Sequence, residues 1–432
     1  MSIGSHVATG GPRLFRPRRE RATLATWRGH LWTVVIGLDF YLLSNPLVYE
    51  PLFAISLQRA VLITALAVVI SIPWLRVPRL NLALLAFFAW GLASNVWSIQ
   101  PGATMETFGL YLTLGALAVM TYSQVAGEVL ALGFAYGGLA VTGLSVLAFR
   151  ERLPGSYFET LDVTEPIVFA GVGTNPNILA YTVTLGLAGW LALWPRTPLS
   201  IVLWVGMGAG LLYGVYLAES TTGYLTAAAM IATAALLWAA PRLKGRTWRR
   251  RSRDAWIAGV IAITVGGAAA LGFTGIGPGT FSDRLPFWEA TLTVAAHRPV
   301  VGFGWGAVWA HPWLFAPPNA VAEGIYGAAG GLFLTHGHNS FIDLIIDLGM
   351  VGVVLVLAVV VSVVWTASRP AKQSQALSRG DDARRFRFVL LCVVDLLVFG
   401  ITEPMLVIPL GFWALVLLTE PRAPRRHGTR RH

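Results

Sequence analysis

Charged residues are scarce in this sequence. Only 12% of its 432 residues are Asp, Glu, Lys or Arg, whereas 55% are hydrophobic and the mean hydropathy is +0.65. A soluble domain carries roughly 25% charged residues. The composition therefore excludes an ordinary soluble protein and indicates a polytopic membrane protein, since the length accommodates roughly a dozen spans of about 20 residues each.

Cysteine is nearly absent as well. Cys392 is the single cysteine and lies in an apolar run, which excludes a disulfide framework and a Cys-based metal site. The charge distribution assigns certain loops to the exterior. These outer loops contain no Asp-x-Asp cluster. We therefore expect no metal and no other cofactor.

Long apolar runs dominate what is present. They predict an all-α protein with about twelve transmembrane helices. The runs cover 30–49, 55–75, 81–98, 107–122, 129–148, 177–195, 200–218, 223–241, 255–274, 339–366, 387–402 and 404–420.

Basic residues are distributed unevenly between alternate loops. With a cytoplasmic N-terminus, 27 of the 32 fall in segments that face the cytoplasm, including the basic run 246–253. The positive-inside rule then predicts that both termini are cytoplasmic. The basic runs are anchors near anionic membrane lipids rather than sites for nucleic acid. The arginines that remain outside are Arg59, Arg150, Arg152, Arg284 and Arg298.

This topology divides the chain into five parts. We expect a basic cytoplasmic tail over 1–29, helices one to nine over 30–274, a large extracytoplasmic loop over 275–337, helices ten to twelve over 338–420, and a basic cytoplasmic tail over 421–432. The large loop is too rich in aromatic and apolar residues to be a disordered linker. It is expected to fold against the outer face, with a short helix over about 283–297.

Two short polar segments border the middle spans on the outer side. In "GVGTNPNILAY" (171–181), an Asn-Pro-Asn sequence that includes Asn177 opens the sixth span. A turn followed by a helix cap explains it at least as well as a binding role. In "ESTTGYL" (219–225), Glu219 is more simply a solvated loop carboxylate than a catalytic one.

The large loop carries the best-placed cation. Arg284 and Trp288 are four residues apart and share one helical face, although a stacked surface pair accounts for them equally well. His297 and Arg298 follow them. Three glycines over 302–306 resemble part of a dinucleotide fingerprint, but the required strand and βαβ context is missing. That interpretation is rejected.

The segment "HGHNSFIDLIIDLG" (336–349) opens an apolar helix with polar residues. Asn339, Asp343 and Asp347 are spaced by four residues and form one stripe. Carboxylates inside a membrane are functional candidates by default, although bonding to neighbouring helices could also explain them. His338 lies at the outer mouth of the span, and His336 is expected to be a loop residue of little consequence.

The same segment resembles the signature of the O-antigen ligase and O-antigen polymerase superfamily. That signature has His-Asn, a carboxylate nine residues after the His, and glycines at plus eleven and plus fourteen. The corresponding residues here are His338, Asn339, Asp347, Gly349 and Gly352.

Other family elements occur in the matching order. An Arg is followed by a Trp four residues later, then by "HRPVVGFGWG", and "GTNPNILAY" is similar to an element before the sixth or seventh span. Two positions depart from the family pattern. Thr221 stands where ligases carry an Arg, and Asp347 stands where Glu is usual. These departures leave polymerases and other glycan ligases as open as a lipopolysaccharide ligase.

The resemblance implies a GT-C-like membrane glycosyltransferase in the bacterial cytoplasmic (inner) membrane, with its site facing outside. The donor would be a glycan on undecaprenyl diphosphate, and the acceptor a sugar hydroxyl on a glycolipid or glycan. Elementary chemistry agrees, because Arg284 suits a diphosphate leaving group and His338 can accept the proton of a hydroxyl. We expect a metal-independent reaction, with Asn339 or Asp343 orienting the His ring or the acceptor.

The predicted site therefore has two catalytic residues, His338 and Arg284. One of the other outer arginines is expected to replace the missing family Arg. The residues predicted to bind substrate are Asn339, Asp343, Asp347, Trp288, Arg298, Asn177, Arg59, Arg150 and Arg152.

A transporter or flippase remains the alternative. Asp39, Asp395 and Glu403 could form an ion or proton pathway through the helix bundle. Such a protein would not need Arg and His together on one outer loop. Polymerases of the shape, elongation, division and sporulation family share the donor type, but their motif pattern is not seen in this sequence.

Overall fold

The computed structural model describes residues 21–44, 50–152, 157–158, 168–173, 175–195, 197–239, 259, 284–309, 318–331, 334, 336–371 and 381–419. Within these ranges the chain forms thirteen α-helices and one short antiparallel ladder. The elements are α1 (Trp27–Ser44), α2 (Glu50–Ile70), α3 (Leu82–Ala93), α4 (Pro101–Gln124), α5 (Gly127–Glu151), β1 (Tyr157–Phe158), β2 (Val168–Phe169), α6 (Pro176–Ala192), α7 (Pro198–Leu217), α8 (Thr221–Ala239), α9 (Leu285–Ala295), α10 (Ala320–Ala328), α11 (Ser340–Ala371), α12 (Asp381–Thr402) and α13 (Pro409–Leu418).

Helices that could cross a membrane account for much of the fold. Among the described residues, α4, α5, α7, α8 and α11 are long and apolar enough to span a bilayer, and shorter apolar segments lie in α2, α3 and α13. An essentially all-helical, multi-pass membrane protein is therefore supported. Twelve spans and a GT-C-like architecture remain predictions, since the run 255–274 lies outside the described residues except for residue 259.

The last transmembrane helix begins later in the chain than the apolar run predicts. Residues 404–420 are an apolar run, yet α13 begins only at Pro409. The preceding turn is closed by the backbone N–H groups of Val407 and Ile408, which both donate to the Pro404 carbonyl, at 2.9 and 3.0 Å. This turn places Glu403 at the end of α12 and directs its side chain back toward α11.

Small residues allow the central helices to approach closely. Gly138 on α5 and Gly186 on α6 face each other, and a Cβ on either would lie 2.8 Å from the Cα of the other. Close backbone packing through glycine is typical of helix pairs in membranes. It brings α5 and α6 together at the centre of the bundle, beside α12.

A kink in α11 holds the loop that follows α9. Gly349 has a φ of +68°, a conformation that residues with a Cβ rarely adopt. The carbonyls of Ile346 and Asp347, freed from helical bonding by the kink, accept the N–H groups of Phe303 and Gly304, each at 2.9 Å. The glycine that the sequence places eleven residues after His338 therefore has a definite backbone role.

The large loop contains the short helix that the sequence predicts. That helix, α9, packs with α10 and the first turns of α11 around a second small core that includes Phe287, Trp309, Ile325 and Ile346, all fully buried or nearly so. This packing fixes the start of α9, where Arg284 lies, relative to the start of α11.

The predicted topology can be tested by cysteine labelling. In a Cys392→Ala background, we expect Arg250→Cys and Ala320→Cys to react with a membrane-impermeant maleimide from opposite sides of sealed vesicles. The physical reason is the concentration of arginines on one side of the predicted spans. Labelling of both positions from the same side would contradict the twelve-span topology.

Candidate active site

Glu403 is the centre of a cluster of polar side chains from four separate parts of the chain. Its carboxylate is only 5% exposed. One oxygen, Oε1, accepts hydrogen bonds from Arg284 at 2.8 Å and from Asn177 at 2.7 Å. The other, Oε2, lies 2.9 Å from Nδ1 of His338. Both oxygens of this buried carboxylate are therefore satisfied by polar or charged partners.

Arg284 is held by two acceptors at the end of α12. One terminal nitrogen donates to the carbonyl of Thr402 and the other to Glu403. The side chain is 16% exposed. A guanidinium has five N–H donors in a fork, so two bonds to the protein leave donors that can face a bound anion.

The contact between His338 and Glu403 determines which nitrogen of the imidazole ring faces the carboxylate. Burial alone would raise the pKa of Glu403, but the charges of Arg284 and His338 and the hydrogen bond from His338 outweigh burial and hold the pKa well below its ordinary value. The carboxylate is therefore ionised and can only accept hydrogen bonds. Nδ1 of His338 therefore donates to the carboxylate, and Nε2 is the ring nitrogen that remains for proton transfer.

The backbone at His338 turns the ring toward Glu403. His338 has a φ of +48°, a conformation that is uncommon for a non-glycine residue and is often found at functional sites. Its N–H donates to Nδ1 of His336 at 3.1 Å, and the two ring centroids are 4.0 Å apart. The structure thus places His336 within the cluster, although the sequence suggested only a loop residue.

Asn177 and Ser220 extend the cluster from two further helix starts. Asn175 caps α6 with its side chain, accepting the N–H of Asn177 at 2.8 Å, and so leaves the Asn177 side chain free to bond elsewhere. Asn177 donates to Glu403 and accepts from the hydroxyl of Ser220 at 2.7 Å. Ser220 also accepts the N–H of Gly223 at the start of α8. The helix-cap interpretation of the Asn-Pro-Asn sequence is thus confirmed for Asn175, while a substrate-binding role for Asn177 stays a prediction.

Two predicted binding residues hold the turn around His338. The amide oxygen of Asn339 caps α11 by accepting the N–H of Phe341 at 2.9 Å, and its NH₂ group donates to the Ile401 carbonyl at 2.9 Å. Trp288 donates its indole N–H to the carbonyl of Gly337 at 2.6 Å. Asn339 and Trp288 thus position His338. Contact of either residue with a substrate stays a prediction.

Asp343 and Asp347 lie below the cluster, within α11. Each uses one carboxylate oxygen to hold a loop glycine: Gly337 donates to Asp343 at 2.7 Å, and Gly306 donates to Asp347 at 2.8 Å. Both carboxyls line a narrow cavity together with Thr107. The predicted polar stripe therefore faces the protein interior.

The remaining outer arginines have other surroundings. Arg150 is exposed and lies 3.7 Å from Glu151, Arg152 follows the end of α5 with a φ of +49°, and Arg59 is exposed on α2. No hydrogen bond or ion pair within the described ranges joins these three to Glu403. Replacement of the missing family Arg by one of them stays a prediction.

Arg298 acts as an anchor in the loop after α9. Its guanidinium donates to the Trp97 carbonyl at 3.0 Å and lies 5.1 Å from the ring centroid of Phe303. These contacts attach the loop to the end of α3. A part for Arg298 in substrate binding is untested.

The cluster also contains a set of possible metal ligands. In the part of the chain that the structure describes, His336, His338 and Glu403 form one such group, with one ligand atom from each lying within 4.8 Å of the others. The charge of Glu403 is already balanced by Arg284, and its oxygens accept three hydrogen bonds. The arrangement can therefore act as a base and an anion-binding group without an ion, and metal independence stays a prediction.

Comparison with known proteins gives one coarse indication. No model of a known protein family matches the sequence. The chain is 27% identical over 292 residues to the exopolysaccharide production protein ExoQ of Rhizobium meliloti (strain 1021). The alignment covers 64% of this chain, and the chain spans 63% of the length of that relative.

Proposed function

We propose that this chain is a membrane glycosyltransferase that moves a glycan from a polyprenyl diphosphate donor, such as undecaprenyl diphosphate, to a sugar hydroxyl on a glycolipid or glycan. The observation that carries the proposal is the convergence of His338, Glu403 and Arg284 on one partly open cluster. The name of the relative, which refers to exopolysaccharide production, supports a role in polysaccharide synthesis. The cytoplasmic membrane and an outward-facing site are part of the proposal.

In the proposed reaction the acceptor oxygen attacks the anomeric carbon of the donor glycan. The bond from that carbon to the diphosphate oxygen breaks, and the acceptor proton passes to Nε2 of His338. The negative charge of Glu403 stabilises the imidazolium that forms, as a carboxylate partner does for other catalytic histidines.

The leaving diphosphate gains negative charge during this step. Fixed donors that are aimed at a developing charge stabilise the transition state. Arg284 is suited to that part because Glu403 and the Thr402 carbonyl hold its guanidinium in place. The proposed transfer needs no metal ion, since His338 supplies the base and Arg284 the positive charge.

The proposal is tested with purified protein in proteoliposomes that contain a lipid-linked glycan and an acceptor glycan. We expect elongated acceptor and free polyprenyl diphosphate in equal amounts. A transporter or flippase would instead move the intact lipid-linked glycan between leaflets without forming a glycosidic bond, and that outcome would contradict the proposal.

Replacement of Arg284 tests the anion-binding part of the site. Arg284→Lys is expected to lower the transfer rate by about tenfold or more, because Lys keeps the charge but loses the planar fork, and one charge-assisted hydrogen bond contributes about 1.5–3 kcal/mol. The rate is measured as polyprenyl diphosphate released per minute.

The matched control is Arg384→Lys. Arg384 has a similar exposure of 17% and pairs with Glu128 at 2.6 Å, so the control reports the general effect of replacing a glutamate-paired arginine. The control variant should retain near-normal transfer. Near-normal turnover in Arg284→Ala would remove Arg284 from the site.

A further inference from the structure

Three buried polar atoms without partners meet at the cavity below the cluster. They are Oδ2 of Asp343, Oδ1 of Asp347 and Oγ1 of Thr107. All three residues are more than nine-tenths buried, and all three line the same cavity, beside the rings of Tyr111 and Trp305. An unpartnered polar atom in such a place is costly unless something binds it.

The two carboxylates cannot be satisfied by their own loops. Gly337 and Gly306 each donate one N–H to one oxygen of Asp343 and Asp347, respectively, and the second oxygen of each has no hydrogen-bond partner among the described residues. The Trp309 side chain lies within hydrogen-bonding reach of Asp343, although its indole nitrogen and Oδ2 of Asp343 form no hydrogen bond of good geometry among the described residues. The described part of the chain also brings no Arg, Lys or His to the lining of this cavity.

The volume of the cavity and the oxygen atoms of its lining residues limit what can bind in it. Its volume is about 10 Å³, which is room for about one water molecule and excludes a sugar ring. A water could bridge the two carboxyls if one of them carries a proton, whereas two ionised carboxylates lining the same cavity need a cation to offset their like charges. Oxygen ligands from carboxylates and a hydroxyl are those that hard cations such as Na⁺ and Ca²⁺ prefer.

We propose that Asp343, Asp347 and Thr107 bind one small hard metal cation between α4 and α11. The cation is assigned no part in bond formation, since the proposed transfer uses His338 as the base and Arg284 as the positive charge. Its binding to the protein is independent of the proposed function. Any effect of the cation on glycan transfer rests on the proposed function. The connection is the hydrogen bond that Asp343 accepts from the N–H of Gly337, the residue immediately before His338. A bound cation would therefore fix the turn that orients the catalytic ring.

The experiment measures the thermal unfolding midpoint of the purified, chelator-treated protein in detergent. NaCl, KCl, MgCl₂ or CaCl₂ is titrated at constant ionic strength, with choline chloride as the balance. A cation that binds only the folded protein raises the midpoint progressively with its concentration. We expect one of these cations to raise the midpoint of the wild-type protein at concentrations where the others have little effect.

Three variants locate the effect. Asp347→Asn and Thr107→Val should each require at least about tenfold more of that cation for the same shift, since each removes a ligand, and tenfold in affinity corresponds to about 1.4 kcal/mol. Thr107→Val keeps both carboxylates, so it remains informative if Asp347→Asn does not fold. The control is Asp39→Asn, because Asp39 is also fully buried, with one oxygen bonded by Thr64 and the other unpartnered. This control should respond to the cation as the wild type does.

Equal responses to all four cations, or an equal loss of response in Asp39→Asn, would overturn the cation site and indicate protonated carboxyls with water. Because no glycan is present, this result would leave the transfer reaction untouched. Conversely, a specific cation response in a protein without transferase activity would support the site and contradict only the proposed function.

Discussion

His338→Ala is expected to reduce glycan transfer by about 10²–10⁴-fold, the range that loss of a general base typically costs. The reason is that Nδ1 of His338 is committed to the ionised Glu403, so Nε2 is the ring nitrogen that can take the acceptor proton. Folding should be largely retained, because the imidazole is 18% exposed and fills little of the core. The measurement is the initial rate of acceptor elongation at saturating donor.

Two other histidines serve as controls. His297 is exposed, and among the described residues its ring contacts the carbonyl of Val294, so His297→Ala should transfer at the wild-type rate. His336→Ala should have a smaller effect than His338→Ala, since Nδ1 of His336 accepts the His338 N–H, whereas Nδ1 of His338 contacts Glu403 directly. A silent His338→Ala together with an inactive His336→Ala would contradict the assignment of the base.

Glu403→Gln is expected to lower the free energy of unfolding by about 3–5 kcal/mol, because removal of one partner of a buried ion pair leaves the other charge uncompensated. The charge left behind is Arg284, which Glu403 contacts at 2.8 Å. Transfer should also fall, since the neutral Gln amide offers one acceptor oxygen instead of two and carries no negative charge to stabilise an imidazolium at His338. Unfolding free energy is measured by titration with a denaturing detergent, and transfer is measured on the folded fraction.

The acid dependence of stability gives a second readout for this variant. The pKa of Glu403 is lowered in the folded protein, so its stabilisation is complete above the ordinary glutamate value of 4.5 and is lost as the pH falls below it. The Gln variant should lack that contribution. Glu128→Gln is the control, because Glu128 forms the ion pair with Arg384 away from the cluster. A loss of stability in Glu128→Gln accompanied by the same loss of transfer rate would contradict a specific role for Glu403.

Much of the helical framework follows from the sequence, because apolar runs of about 20 residues leave few alternatives to membrane helices. The short helix of the large loop was also predictable from composition, and its observed bounds agree closely with 283–297. The interruption at 403–408 was not. Hydropathy alone cannot distinguish a buried apolar turn from a helix, and the turn is what brings Glu403 to the site.

The candidate site was predictable in part. His338, Arg284 and Asn177 were selected from the sequence, and the structure brings all three to one carboxylate. Glu403 was considered only for a transport pathway, because no spacing rule connects residues 284 and 403. A carboxylate followed by proline at the end of a span was its one local signal.

Ser220 was missed for a similar reason. Its loop drew attention through Glu219 and Thr221, while the hydroxyl that contacts Asn177 lies between them. The backbone strain at His338 could not be read from the sequence either, since a positive φ at a histidine depends on the surrounding packing. Residues of this kind become visible only once distant helices are placed together.

The most direct test of the central claim is transfer in detergent micelles, where no sealed compartment exists. Purified protein is mixed with a lipid-linked glycan and an acceptor glycan, and both products are quantified by mass spectrometry. Because bond formation needs no movement across a membrane, we predict elongated acceptor and polyprenyl diphosphate in equal amounts with the wild type and almost none with His338→Ala. If the folded wild-type protein leaves both substrates unchanged in micelles but moves the intact donor across sealed vesicles, the account is contradicted and the protein is a transporter.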